Sequence, residues 1–135
     1  DRVHFVGPLP NDRLKVALSA ADVFVLATSY EGWANVFLEA MACGLPVVTT
    51  DVGGNAQVVN NRSLGRLVPF GDTRGLQEAI DEALRTPWDR QSIRAYAESN
   101  SWDRRIQPLV DAYHELLSRG RDEHAQARAE IGNAR

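Results

Sequence analysis

The chain has little of what marks several common classes of protein. Its single cysteine, Cys43, excludes an internal disulfide and fits a reducing compartment. Its longest strictly apolar run, residues 23–27, is far shorter than the roughly 20 residues of a membrane-spanning helix. No secretory signal pattern, internal repeat or low-complexity segment is visible. Fifteen Lys and Arg against eighteen Asp and Glu give a net charge of −3 without a basic block, which argues against nucleic acid as a partner.

The reactive residue types also lack the spacing of known catalytic or metal sites. His4, His114 and His124 show no metal-ligand spacing with one another or with Cys43, so no metal site is predicted. No Ser-His-Asp or Cys-His arrangement is apparent. What remains is an ordinary globular composition of 135 residues, 44% of them hydrophobic, which predicts one compact domain. Because a strand pattern starts almost at Asp1, we expect a fragment of a longer chain.

The first two thirds of the chain alternate between strand and helix patterns. Runs rich in branched residues predict strands at residues 3–6, 23–26, 47–50 and 66–68. Apolar residues at helical spacing predict helices between these strands, at residues 12–20 and 35–43. This alternation is typical of βαβ units, and the expected fold class is therefore α/β with a parallel sheet.

After the last predicted strand the chain is expected to be helical. Asp72 is a suitable N-cap for a helix over residues 73–85. A weaker helix is predicted from Pro87 to about Glu98, and another over residues 102–117 with Ser101 as its cap. Trp102 and Tyr113 are expected to pack the last helix onto the domain body. The domain would then span residues 1–117, with residues 118–135 as a polar helical extension or a disordered tail.

Glycines follow three of the predicted strands. Gly7 comes after the first, Gly32 after the second, and Gly53 with Gly54 after the third. Ligands of open parallel sheets bind at the carboxyl ends of the strands, and glycine there lets the backbone approach a ligand closely. Each loop alone would be read as a tight turn, but the three together predict a binding site.

The helix predicted to start after an Asn35 N-cap carries a single charged residue, Glu39. Its other residues are apolar, so we expect the helix, and Glu39 with it, to be buried. A buried carboxylate needs a partner. Two alternatives remain open on the residues alone: the hydroxyls of a ligand such as a ribose, or an arginine or backbone amide elsewhere in the chain.

Glu31 lies eight residues before Glu39, in the loop that leads into the helix. The free amides at a helix start form an anion site suited to phosphate. The segment therefore offers a carboxylate, a phosphate cradle and a second carboxylate in sequence order. A nucleotide-sugar requires these groups for its sugar hydroxyls, its diphosphate and its ribose diol. For Glu31 alone, a solvated loop residue would be the better interpretation.

The ordered motifs from residue 2 to 117 resemble retaining glycosyltransferases of the GT-B fold, especially family 4. Residues 31–39, Glu-Gly-Trp-Ala-Asn-Val-Phe-Leu-Glu, match the family's E-x7-E motif. The similarity continues through Ala-Met-Ala-Cys-Gly-Leu-Pro-Val-Val and Thr-Asp-Val-Gly-Gly at residues 40–48 and 50–54. It implies a Rossmann-like parallel sheet with flanking helices, the truncated C-terminal, donor-binding half of such an enzyme.

The resemblance also implies roles for particular residues. Glu31, the catalytic-site carboxylate, would contact the transferred sugar, and Glu39 the ribose hydroxyls. Gly7 and Leu9 would border the base. Sugar and phosphate oxygens would be held at the backbones of Gly32, Trp33, Ala34, Asn35 and Val36 and at Gly53 and Gly54. The implied substrate is a UDP- or GDP-sugar, with a glycan or lipid-linked acceptor, no metal and no cofactor, in the cytoplasm or at the inner face of the membrane.

Departures from the family pattern keep other interpretations open. Gln57 occupies a position where many relatives have Glu, and the family's phosphate-binding Arg and Lys precede the region present here. Arg13, Lys15 or Arg62 would have to reach the diphosphate instead. The alternatives are a sugar-nucleotide epimerase of the same fold, or a non-catalytic module that keeps the fold for protein contacts. Strands missing from the sheet would also favour a dimer.

Overall fold

The structure, a computed structural model, describes the backbone of residues 2–133 and the side chains of residues 2–119. Within these residues, helices and strands alternate before a helical C-terminal part. The elements are α1 (Asn11–Ala20), β1 (Phe24–Leu26), α2 (Asn35–Ala42), β2 (Val47–Thr50), α3 (Asn55–Val58), β3 (Gly65–Val68), α4 (Thr73–Arg85), α5 (Arg90–Ser99) and α6 (Trp102–Asn133).

The three strands form a parallel sheet in the order β1-β2-β3. Phe24 pairs with Val47, and Val47 pairs with Gly65 on its other side. The helices α2 and α3 provide the crossovers between consecutive strands, as parallel pairing requires. The predicted α/β class with a parallel sheet and flanking helices is confirmed.

The core lies on both faces of the sheet, with β2 buried at its centre. Val47 belongs to the cluster that α2 and α5 cover, whereas Val48 belongs to the cluster beneath α4. Successive strand residues point to opposite faces, so one buried strand supplies both clusters. This explains why all four residues of β2 are buried and why its sequence reads as continuously apolar or β-branched.

The predicted first strand is wrong. Residues 2–10 have no regular secondary structure, and Val3, Phe5 and Val6 are exposed, Phe5 to 97%. A strand requires a neighbour for its backbone N–H and C=O groups. Within the described residues, β1 and β3 each pair only with β2, and neither pairs with this segment.

Two helix starts are set by aspartates. Asp72 caps α4, since its Oδ1 accepts from the Gly75 N–H at 2.8 Å, which confirms the prediction. The helix α5 starts later than predicted, because Asp89 rather than Pro87 organises its first turn. The Asp89 carboxylate accepts from the Ser92 N–H at 3.0 Å and the Ser92 hydroxyl at 2.6 Å.

The single turn of α3 was not predicted, since four residues are too short for a helical periodicity.

Residues 1–99 and 100–135 form two units, and the second consists mainly of α6. This helix continues through Pro108 to Asn133. The side chains of Trp102 and Tyr113 are 68% and 60% exposed. None of the helices in the described residues is both long and apolar enough to span a membrane.

Candidate functional site

The parallel sheet brings two of the sequence-predicted loops together at the carboxyl ends of its strands. The Glu31 loop, residues 27–34, follows β1, and the glycine loop, residues 51–54, follows β2. Because β1 and β2 are adjacent and parallel, both loops leave the same edge of the sheet. Ligands of open α/β sheets bind at this edge.

The two loops are in direct backbone contact. The Gly54 N–H donates to the Glu31 carbonyl oxygen at 3.3 Å. A Cβ atom on Gly53 would lie 1.6 Å from that oxygen, and one on Gly54 would lie 2.1 Å from the Gly32 carbonyl oxygen. Gly53 also has a φ of +52°, which other residues rarely adopt. Glycine is therefore required at both positions for the loops to approach.

Threonine side chains at the end of β2 add to this connection. The Thr50 hydroxyl donates to the Thr28 carbonyl oxygen and accepts from the Thr28 N–H. The Thr49 hydroxyl donates to the Leu26 carbonyl oxygen at 2.7 Å. The sequence reasoning missed these residues. Consecutive threonines at the carboxyl end of a buried strand are the signal that could have identified them, because a buried hydroxyl requires a partner.

The start of α2 differs from the prediction. Ala34, not Asn35, is the N-cap, and no side chain caps the helix. The Asn35 N–H donates to the Trp33 carbonyl oxygen and the Phe37 N–H to the Ala34 carbonyl oxygen, both at 3.0 Å. The Val36 N–H has no acceptor within the described residues. The start of α2 therefore offers fewer free N–H groups than a helix whose first N–H groups are all unbonded.

Glu39 is exposed, and the prediction that it is buried is wrong. Asn35, Glu39 and Ala42 form an exposed stripe along α2, while Phe37, Ala40 and Met41 on the other side are fully buried. The composition suggested burial on every side, but one face of the helix is open. No ion pair involves Glu39 among the side chains that are described. The carboxylate thus needs no internal partner.

Glu31 is half-buried, and its carbonyl oxygen is held by Gly54. Tyr30, beside it, is 84% exposed. The segment before α1, which contains Gly7 and Leu9, is more exposed to solvent. Gly7 has a φ of +67° with free space around it, and Leu9 is half-buried.

Of the cations considered for the diphosphate, Arg62 lies away from the site loops. Arg62 precedes β3 and therefore lies near the amino ends of the strands, where its guanidinium is 3.6 Å from the Glu82 carboxylate. Arg13 and Lys15 are exposed on α1. Gln57 is exposed on α3, and its N–H donates to the Gly54 carbonyl oxygen at 3.0 Å.

The chain is similar in sequence to several known proteins and in structure to a further one. The chain is 34% identical over 125 residues to D-inositol 3-phosphate glycosyltransferase of Salinispora tropica, covering 90% of this chain and 26% of that protein. It is 30% identical over 117 residues to N-acetyl-alpha-D-glucosaminyl L-malate synthase of Bacillus anthracis, covering 86% and 30%. The structure resembles that of sucrose-phosphate synthase from Thermosynechococcus elongatus, with a TM-score of 0.77 and 35% identity over 87% of this chain and 31% of that one.

The chain therefore spans between a quarter and a third of the length of these relatives. The family model of the glycosyl transferases group 1 matches residues 1–100, which include the sheet, the Glu31 loop and the glycine loop. The chain belongs to the group 1 glycosyltransferase family.

Proposed function

We propose that this chain is the donor-binding region of a retaining glycosyltransferase that transfers a hexose-type unit. The donor is a UDP- or GDP-sugar, and the acceptor is a glycan or a lipid-linked molecule bound by a part of the enzyme that this chain does not contain. Transfer uses no metal and no cofactor. The enzyme acts in the cytoplasm or at the inner face of the membrane.

The proposed roles follow the order of groups along the donor. Glu31 contacts the hydroxyls of the transferred sugar, and Glu39 accepts from the ribose hydroxyls. Gly7 and Leu9 border the base. The sugar and phosphate oxygens lie against the backbone of residues 32–36 and of Gly53 and Gly54.

The contact between the Glu31 loop and the glycine loop is the observation that supports this proposal most directly. It brings the backbone of the half-buried Glu31 against two glycines at the carboxyl ends of parallel strands, where open α/β sheets bind their ligands. The exposure of Glu39 is also consistent with ligand binding, because a carboxylate open to solvent can accept from a ribose that approaches from outside. The positively charged groups that a diphosphate favours are expected outside this chain.

The ribose assignment is tested by calorimetry with UDP, 2′-deoxy-UDP and the corresponding guanosine diphosphates. The unchanged chain is expected to prefer the ribose form, because only that form donates the 2′-hydroxyl. Glu39→Ala is expected to weaken the ribose form about tenfold and to remove the preference, as the loss of a charge-assisted hydrogen bond would. Glu78→Gln, which changes an exposed carboxylate on α4, is the matched control. A preference that survives in Glu39→Ala would contradict the assignment.

The sugar assignment is tested by comparing UDP with UDP-glucose and GDP with GDP-mannose. Glu31→Ala is expected to weaken binding of the sugar-bearing form while leaving the nucleoside diphosphate unchanged, because the proposed contact is to the sugar alone. Glu39→Ala is expected to weaken both forms equally. An equal loss for both forms in Glu31→Ala would assign Glu31 to the diphosphate or to loop structure instead.

A further inference from the structure

Asn55, Thr49 and Thr50 form a buried hydrogen-bonded network, in which Asn55 bonds the Thr49 side chain and the Thr50 backbone. Thr49 and Asn55 are fully buried, and Thr50 is 5% exposed. The Asn55 Nδ2 donates to the Thr49 Oγ1 at 3.2 Å and to the Thr50 carbonyl oxygen at 2.9 Å. The threonine hydroxyls in turn bond the backbones of Leu26 and Thr28. The network thus connects the residue after the glycine loop to the residues where the Glu31 loop begins.

Asn55 adds little to the hydrogen-bond satisfaction of its neighbours. Without it, the Thr50 carbonyl oxygen would still accept from the Val52 N–H at 3.0 Å, and the Thr49 hydroxyl would still donate to Leu26. The Asn55 Oδ1 is itself buried without a donor among the described residues. An unpaired buried acceptor is unfavourable, so an apolar side chain of the same size would suit the core better. The amide is therefore not explained by stability.

We propose that Asn55 is a positioning residue for the site. By holding both Thr49 and Thr50, it fixes the end of β2 and, through their hydroxyls, the start of the Glu31 loop. The Glu31 side chain and the Gly53–Gly54 backbone are thereby presented to one ligand in a fixed arrangement. The inference rests on the proposed function for the identity of that ligand, but the positioning of the loops is independent of it.

The test is Asn55→Leu in the 135-residue chain, followed by amide hydrogen exchange, thermal unfolding and donor binding. The Thr28 and Gly54 amides, which bond Thr50 and Glu31 across the loops, are expected to exchange about tenfold faster. The Val47 amide, which bonds Leu64 within the sheet, is expected to exchange at an unchanged rate. The unfolding temperature is expected to stay the same or rise, and the affinity for UDP-glucose or GDP-mannose is expected to fall.

A second pair of variants tests separately whether the Thr50 hydroxyl holds the start of the Glu31 loop, as the proposal requires. Thr50→Val removes the hydroxyl at nearly constant volume and is expected to reproduce the faster exchange of Thr28, whereas Thr50→Ser retains the hydroxyl and is expected to restore slow exchange. Thr86→Val is the matched control, because it removes a hydroxyl bonded to the Glu82 carbonyl oxygen at the end of α4.

Uniformly faster exchange with a lower unfolding temperature in Asn55→Leu would show a purely structural role and overturn the inference. Unchanged exchange of Thr28 and Gly54 would overturn it as well. If the unchanged chain binds neither nucleotide-sugar, the proposed function fails, and the exchange rates alone decide the role of Asn55.

Discussion

At the scale of single residues, the candidate site depends on two glycines that have no Cβ atom as well as on its side chains. Gly53 and Gly54 leave room for the carbonyl oxygens of Glu31 and Gly32. The positive φ of Gly53 adds a second requirement for glycine. Two glycines in a loop are common in sequences, and only the approach of a second loop makes these two irreplaceable.

Gly53→Ala is expected to lower the free energy of unfolding by about 2–5 kcal/mol, from left-handed strain together with displacement of the Glu31 backbone. Gly71→Ala is the matched control, because Gly71 also has a positive φ, +86°, but a Cβ atom there would meet no other atom within 4 Å. Its cost should be about 1–2 kcal/mol, from strain alone. Denaturant unfolding of both variants measures the difference. An equal loss of unfolding free energy in the two variants would show that the fold does not depend on the close approach of the Glu31 loop to the glycine loop.

At the scale of elements, α4 is attached to the sheet through an arginine on β3. Arg66 donates from Nε and Nη2 to the Glu82 carboxylate at 2.9 and 2.7 Å, and its guanidinium lies 5.0 Å from the centre of the Trp88 ring. The hydrogen bond from Arg66 lowers the pKa of the Glu82 carboxyl below its usual 4.5. This cluster lies away from the candidate site and links α4, the sheet and the segment before α5.

The lowered pKa of Glu82 gives the stability of the protein an acid dependence. A carboxyl whose pKa is lowered on folding stabilises the fold above its unfolded pKa, and this contribution disappears as the pH falls through the folded pKa. Glu82→Gln is therefore expected to be less stable than the unchanged chain at pH 7. The difference in the free energy of unfolding is expected to shrink as the pH falls below 4.5 and to be lost below the lowered pKa of the folded state. Unfolding in denaturant across this range measures it.

Glu78→Gln is the control for that series, because its pair with Arg74 is exposed on the same helix and exposed pairs contribute little. Its effect should be small at every pH. A Glu82→Gln difference that persists undiminished in acid would mean that the side chain acts through packing rather than through charge.

At the scale of the whole molecule, the first unit has both exposed apolar residues and an open sheet edge. Val3, Phe5 and Val6 are exposed, and β1 pairs only with β2 among the described strands. Unpaired strand edges and exposed apolar side chains each favour association between chains.

We propose that the isolated chain dimerises through this edge. Light scattering is expected to give about twice the monomer mass of 14.9 kDa, and Phe5→Asp is expected to shift the chain towards the monomer. Phe70→Asp is the control, since Phe70 is also exposed but follows β3, the opposite edge strand. A clean monomer for the unchanged chain would contradict the proposal.

The 135-residue chain is expected to transfer no sugar by itself, because the roles proposed for its residues concern the donor alone and the acceptor is proposed to bind elsewhere in the enzyme. Incubation of the chain with radiolabelled UDP-glucose or GDP-mannose and a panel of glycan and lipid-linked acceptors measures this. Labelled product from the purified chain would overturn it. Hydrolysis of the donor without an acceptor is a separate reaction and is followed in the same assay.

The sequence alone determined the α/β class, the limits of β2 and α4, and the two loops of the candidate site. These features follow from local patterns, because β-branched runs, helical spacing, an Asp72 cap and paired glycines act within a few residues. The ordered motifs of residues 31–54 also sufficed to indicate the family that the comparisons then established.

The tertiary structure alone decided the exposure of Glu39, the absence of a strand at residues 3–6, and the network around Asn55. Burial depends on which face of a helix is covered, and a strand exists only where a neighbour pairs with it. The hydrogen bonds of Thr49 and Thr50 join residues more than 20 positions apart, and the parallel register of β1 and β2 sets them. No local pattern contains that register, because it results from packing the helices on both faces of the sheet.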